Sequence, residues 1–448
     1  MKRIFLCFLA LAIQLWCMAG CADASKLDPQ KPVTLSMWHI YGEQTDSPIN
    51  PLVEEFNATV GKEKGIVINI TNMTTTPDLK NLLLAAREGA PGAPDMPDLF
   101  SSRPDTVLNL GAENLVDFAD YFTEEELARY VPEFVQDGTI DGRLAVFPVS
   151  RSTRALFIND SLFFRFAAET GASYEMLADW EGFFEVAARY YEWSGGKAFC
   201  AFDYLIQNVE YDMLASGHEP VYTDADWYDT TDPYLKASWM KFALPLAKGY
   251  ILVSDKYANT QIMTGEVIAG VGSSAAINYY NDTVTYPDNT SEKMNLKVLP
   301  LPKTGSGEQF MPVTGTGFSA YKTTEEKAEA AAIFLRWLTE GERNLDFVVE
   351  SGYMPVHNSA FDAIEGYDFP SPAHKALFSA IKTMREEYTP TIRPEFTHYY
   401  DYVERLYPAL KKLCPTLKER SDNGEDAALL ARETWDLFLE ISKAGEAR

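Results

Sequence analysis

The chain has 448 residues, enough for two or three domain-sized units and at least one large core. Hydrophobic residues make up 46% and charged residues 23%, which excludes a disordered, collagen-like or coiled-coil chain. Acidic residues outnumber basic ones 65 to 39, giving a formal net charge of -26, and a surface this acidic argues against nucleic acid as a partner.

The chain opens with Lys2 and Arg3, followed over residues 4–16 by apolar sequence broken only by Gln14. That stretch is too short to span a bilayer comfortably and has the form of a secretory signal. It leads into Met18, Ala19, Gly20 and Cys21, which resemble a bacterial lipobox, where small residues precede a cysteine that becomes acylated. The other reading is an ordinary cleavage site with an incidental cysteine. On the lipobox reading, residues 1–20 are a signal peptide, Cys21 carries lipid, and the polar, Pro-containing residues 21–32 are a tether. Cys7 and Cys17 leave with the signal, so only Cys200 and Cys414 remain, either as one disulfide or as two isolated thiols. No other apolar run approaches the eighteen residues expected of a membrane span.

Residues 33–38 alternate Val33, Leu35 and Met37 and predict a strand. A helix then begins with Asn50 as cap and Pro51 in the first turn. A strand over 66–70, a helix over 79–87 and a strand ending at Ser101 and Ser102 complete an α/β pattern, whose ligands gather at the carboxyl ends of strands. Two extended runs, 142–148 and 154–158, flank the polar segment 149–153. Residues 161–249 read as helix-rich, with an aromatic helix over 180–193. Thr323 and Glu326 fit a capping box, ahead of a face made of Ala328, Ala331, Ala332, Leu335 and Leu338. Residues 426–442 predict a last amphipathic helix. The fold class is α/β with a helical excess.

Motifs of catalysis and metal binding are lacking. The five histidines are scattered without an H-E-x-x-H pair, and the Gly272, Ser273, Ser274 run lacks the second glycine of a nucleophile elbow. Asp224, Asp226, Asp229 and Asp232 have no glycine to turn a calcium loop and read as a solvated face. No catalytic residue, metal or cofactor is expected, although paired carboxylates for glycoside hydrolysis stay open among so many acids.

Taken in order, several stretches resemble the extracellular solute-binding proteins of bacterial ABC importers, in particular the carbohydrate group that includes maltose- and glycerol-3-phosphate-binding proteins. They are residues 35–39, 52–57, 65–68, 97–100, 142–148, 155–159, 264–272, 298–302, 315–317, 327–338 and 352–356. The resemblance implies a two-lobe periplasmic-binding-protein-like fold with hinge crossovers near 149–155, 270–275 and 320. It places the first lobe at 33–152 and 273–322, and a helix-rich second lobe at 153–272 and 323–448. It further implies a monomer that captures a small-molecule carbohydrate or polyol in the cleft and hands it to importer permease subunits. On the lipobox reading, lipid on Cys21 would anchor that monomer to the outer side of the cell membrane.

A polyol site needs aromatic faces against C–H surfaces and polar partners for each hydroxyl. Past the first strand, Trp38, Tyr41 and Glu43 offer both, and past the third Ser101, Ser102 and Arg103 do the same. The resemblance adds Ser273, Gly317, Tyr353 and Arg393, and the chemistry of the second lobe suggests Asp203, Tyr204 and Trp227. The alternative within the class is a glycerol-3-phosphate-type receptor, in which Arg393, Arg151 or Arg154 would neutralise phosphate. Across classes, the alternatives are a surface glycan hydrolase and a glycan adhesin.

Overall fold

The computed structural model describes residues 25–41, 47–72, 76–220, 228–254, 257–392 and 399–446. In chain order the strands of its two main sheets are β1 (Val33–His39), β2 (Ile66–Asn72), β3 (Leu99–Ser102), β4 (Arg154–Asn159), β5 (Cys200–Phe202), β6 (Ile251–Val253), β7 (Ala269–Ser273), β8 (Leu296–Leu299) and β9 (Gly317–Ala320). The first sheet has the order β9-β3-β1-β2, with β1 parallel to β2 and β3 and with β9 antiparallel at the edge. The second has the order β8-β4-β7-β5-β6, in which β5 is parallel to its neighbours while β4 runs antiparallel to both β7 and β8.

Both faces of β1 are covered near its carboxyl end. Leu35 and Met37 enter the main core, while Trp38 enters a second cluster with Leu79, Leu83, Phe100 and Leu110. His39 ends the strand wholly buried. Its Nδ1 accepts from the Tyr41 amide at 3.2 Å and its Nε2 lies 3.1 Å from Asn50 Oδ1. Asn50 is therefore occupied with the imidazole rather than acting as the helix cap; the cap is Ile49, and the helix runs Asn50–Ala58.

The aromatic helix forms over Trp180–Trp193, where the Asp179 carboxylate accepts from the Gly182 amide at 2.8 Å. It buries Trp180, Phe183, Val186, Ala187 and Tyr190 at helical spacing. These rings meet Phe199, Phe202 and Phe242 edge-on and at a tilt, so much of the chain's aromatic content is spent on one core.

Three segments lie elsewhere than the sequence placed them. Leu296–Leu299, assigned to the first lobe, pairs with β4 in the second sheet. The helix Glu325–Leu338, assigned to the second lobe, packs on β1, and Phe334 and Trp337 both contact Phe56 at 5.1 and 5.3 Å between centroids. Its cap is Thr324, whose side chain accepts from the Lys327 amide, one residue past the expected box. The chain therefore passes from the first sheet to the second between β3 and β4, and stays there through β7 and β8. It comes back at β9 and returns to the second at the helix Pro372–Glu387, which packs on β8. Residues 270–275 thus remain within the second lobe, as part of the end of β7.

The helices Pro233–Ala247, Tyr399–Asp422 and Ala427–Glu446 pack on one another in the second lobe. Trp239 is their buried centre, donating to Thr434 Oγ1 at 3.0 Å and touching Phe438 with ring centroids 4.9 Å apart. Cys200 and Cys414 are both free thiols. Among the described residues, no helix is long and apolar enough to cross a membrane.

Short hydrogen-bonded contacts tie the segments that run between the two sheets. Phe147 and Phe318 exchange backbone bonds of 2.8 and 2.9 Å, as do Ser152 and Thr314, and the Ser274 amide donates to the Thr153 carbonyl at 2.8 Å.

Candidate functional site

A cleft with about 220 Å³ of solvent-accessible space opens at this junction. Strand ends supply much of its wall, as the α/β pattern requires. Ile40 follows β1, Arg103 follows β3, Asp203 and Tyr204 follow β5, and Ser273 ends β7. Because β4 runs antiparallel to β7, its first residue, Arg154, lies in register with Ser273 and joins the same wall.

The second-lobe wall is an ordered polar network. Arg154 is 7% exposed; its Nε and Nη2 donate to Gln207 Oε1 at 3.2 and 3.0 Å, and its guanidinium lies 4.4 Å above the centre of the Tyr204 ring. Asp203 Oδ1 accepts from the Ala258 amide at 2.6 Å. Burial pushes the Asp203 carboxyl up, against the opposing pull of Arg154, the Ala258 amide, Ser254 and the Ser273 amide. Gly272 leaves room for this carboxylate, since a Cβ there would stand 2.7 Å from Asp203 Oδ2.

Across the cleft, Asp137 ends the helix Pro132–Asp137 and is held by Arg151, whose Nη2 is 3.0 Å from Asp137 Oδ2. Arg151 is wholly buried, and its Nη2 also donates to the Phe134 carbonyl at 3.3 Å. Tyr353 completes the first-lobe side, with Thr314, Gly315 and Thr316 along the floor. Buried hydroxyls and carboxylates beside tyrosine faces suit a hydroxylated ligand whose polar groups must each find a partner.

Six residues singled out from sequence line this cleft: Arg103, Asp203, Tyr204, Ser273 and Tyr353, with Arg154 from the phosphate alternative. Five others stand behind it. Trp38 is core, because the sheet is covered on both faces where it stands. Tyr41 is buried, its hydroxyl 2.9 Å from Ser150 Oγ and its ring packed edge-on against Phe347 and Tyr353. Ser101 and Ser102 lie inside β3, where β9 covers them, and Arg103, the next residue, reaches the cleft instead. Gly317 pairs with Ser102, and a Cβ on it would meet the Phe147 carbonyl oxygen at 2.3 Å. Its smallness thus serves strand contact at the junction, and Gly317→Ala is expected to cost about 1–3 kcal/mol in urea unfolding; unchanged stability would remove this role. Glu43, Trp227 and Arg393, with Cys21 and residues 224 and 226 of the acidic run, lie outside the described residues.

The sequence reading did not single out Asp137, Gln207, Tyr257 or Thr316 for the site. Gln207 sits inside the first turn of the helix Leu205–Ala215 and Asp137 at a helix end, positions without a local signature. The polar run 149–153, read as lying between two extended segments, was the available signal for Ser152 and Arg151. Among the described residues, no group of His, Cys, Asp and Glu is arranged to hold a metal ion.

Solved structures share this architecture. A cyclic alpha-maltosyl-1,6-maltose binding protein from Arthrobacter globiformis superposes with a TM-score of 0.66 at 16% identity, covering 91% of this chain and 99% of its own. The sugar-binding protein MalE from the phytopathogen Xanthomonas citri gives 0.65 at 17% identity, with 92% and 98% covered. UgpB from Mycobacterium tuberculosis, solved with glycerophosphocholine, gives 0.63 at 16% identity, with 92% and 99% covered. Superpositions over more than 90% of each chain show the two-lobe periplasmic-binding-protein fold. Comparison with curated proteins finds no match. The family profile of the bacterial extracellular solute-binding proteins matches residues 52–374, well over half of the chain. The members of that family bind substrates and are not enzymes. The profile match and the two-lobe fold together place the chain in the family of bacterial extracellular solute-binding proteins.

Proposed function

We propose that the protein captures a carbohydrate or related polyol in the cleft between its lobes and delivers it to an ABC importer permease. It works as a monomer tethered to the outer side of the membrane through lipidated Cys21 and residues 21–32. The observation that carries this reading is the cleft wall itself, which combines the tyrosines Tyr204, Tyr257 and Tyr353 with the polar Ser273, Asp203, Gln207 and Asp137. Aromatic faces match the C–H surface of a sugar ring, and the polar groups replace the water stripped from its hydroxyls. The sheet partners support a first lobe containing β1, β2, β3 and β9 and a second containing β4 to β8. A ligand that touches both walls favours the closed arrangement.

The test is a thermal-shift and calorimetric panel of mono- and oligosaccharides, polyols and peptides on the purified protein. A carbohydrate at a hundredfold its Kd should stabilise the fold by about 2.7 kcal/mol. Replacing Tyr353 and Ser273 together with alanine should abolish that shift while the far-UV spectrum is kept. Undiminished affinity in the double variant, or a shift with peptides alone, would overturn the reading.

A further inference from the structure

The cleft wall holds a buried cation that, among the described residues, no carboxylate meets at contact distance. Arg154 is more than nine-tenths buried, yet among the described residues no carboxylate reaches its guanidinium at ion-pair distance. Its partners are neutral: the Gln207 amide oxygen, which takes both Nε and Nη2, and the face of Tyr204. Among the described residues the Nη1 nitrogen has no hydrogen bond, and it is not sealed from solvent, so it opens into the cleft that Arg154 lines. A buried cation held by neutral groups is costly, and the cost falls when an anion arrives. The carboxylates nearby are already engaged. Asp137 is paired with Arg151 at 3.0 Å; Asp203 feels the charge of Arg154 from beyond ion-pair distance, while its Oδ1 accepts from the Ala258 amide. On the first-lobe wall a second guanidinium, Arg103, lines the same space, with its Nε 3.6 Å from Asp105 Oδ1.

The geometry points to an acidic ligand: a hydroxylated skeleton bearing a carboxylate or phosphate group that seats on Arg154 Nη1 and faces Arg103 across the cleft. This inference rests on the cleft being a carbohydrate or polyol site, and narrows it to acidic members of that class. Gln207 and Tyr204 fix the plane of the guanidinium, so its open edge is oriented before the ligand arrives and little side-chain freedom is lost on binding. An anion bridging arginines of opposite lobes would also bind the closed state better than the open one, which couples recognition to closure.

Paired probes test it on the purified protein: D-galacturonate against D-galactose, digalacturonate against lactose, D-glucose 6-phosphate against D-glucose, and sn-glycerol 3-phosphate against glycerol. The acidic member of at least one pair should bind about 10- to 100-fold tighter, the usual worth of hydrogen bonds to a charged group. Preference within the galacturonate pairs identifies a carboxylate ligand, and preference within the phosphate pairs a phosphorylated one. Arg154→Gln should erase the preference. Gln207→Glu should erase it too, by giving the guanidinium an internal carboxylate while leaving Arg154 in place, so a folding defect in the first variant does not decide the outcome. Neutral members binding as well as acidic ones, with Arg154→Gln unchanged, would overturn the acidic ligand and leave a neutral sugar receptor. Silence from every probe would remove the carbohydrate reading and the inference together.

Discussion

Replacing Asp137 with asparagine should lower the stability of the protein by about 3–5 kcal/mol, the cost of stripping a buried charge of its partner. Arg151 is wholly buried, its Nε has no hydrogen-bond partner, and Asp137 is its ion-pair partner among the described residues. Its backbone is bonded in turn to Met354, across the segment that carries Tyr353. An amide of the same shape keeps the packing but leaves the guanidinium uncompensated in a low-dielectric junction. Urea unfolding of Asp137→Asn and of the double replacement Arg151→Met with Asp137→Leu separates charge from shape. The double replacement should recover most of the loss, because removing both charges removes both desolvation penalties. A loss below about 1 kcal/mol in Asp137→Asn would show that the pair is hydrated and not structural.

Acid should act through His39 before it acts through most other groups. Burial holds the imidazole down to about 4 from its ordinary 6.5, and the Asn50 contact only partly offsets this. The Tyr41 amide donates to Nδ1, so the neutral ring carries its proton on Nε2, directed at Asn50. Protonation of Nδ1 would set two donors against each other in a sealed pocket. Since the folded value lies below the unfolded one, the contribution is fully present above about 6.5 and is lost as pH falls through about 4. The difference corresponds to about 3 kcal/mol across that window. Unfolding curves at pH 7 and pH 4.2 should show the drop in the native chain and a smaller one in His39→Gln, which keeps a donor toward Asn50. Parallel losses in both proteins would assign the acid sensitivity to carboxylates instead.

How much could be seen in advance depended on whether a residue's role is local. The helix Trp180–Trp193 was legible to the residue because its buried positions recur at helical spacing and Asp179 caps it. The end of the third strand led to Arg103 in the cleft wall, whereas Ser273 and Tyr353 came from the resemblance and Asp203 and Tyr204 from the chemistry of the second lobe. Trp38 and Tyr41, read as lying in a loop past the first strand, are buried because β1 continues to His39 with both faces covered and Tyr41 packs back into the main core beyond it. Asp137 and Gln207 carried no signature because their meaning lies in partners far along the chain, Arg151 and Arg154. The strand Leu296–Leu299 and the helix Glu325–Leu338 were assigned to the wrong lobes for a related reason: sequence order does not fix which of two sheets an element joins.

The packing of Trp239 has a consequence for the timing of folding. Its indole is sealed by Thr434, Trp435 and Phe438, and its hydrogen bond spans 195 positions of sequence. Contacts of such separation form late, because the loop between them must be closed before they repay its entropy. The core of the second lobe therefore cannot be completed until the helix Ala427–Glu446 is available. A chain lacking that helix is therefore expected to leave Trp239 without its hydrogen bond to Thr434 and its packing on Phe438.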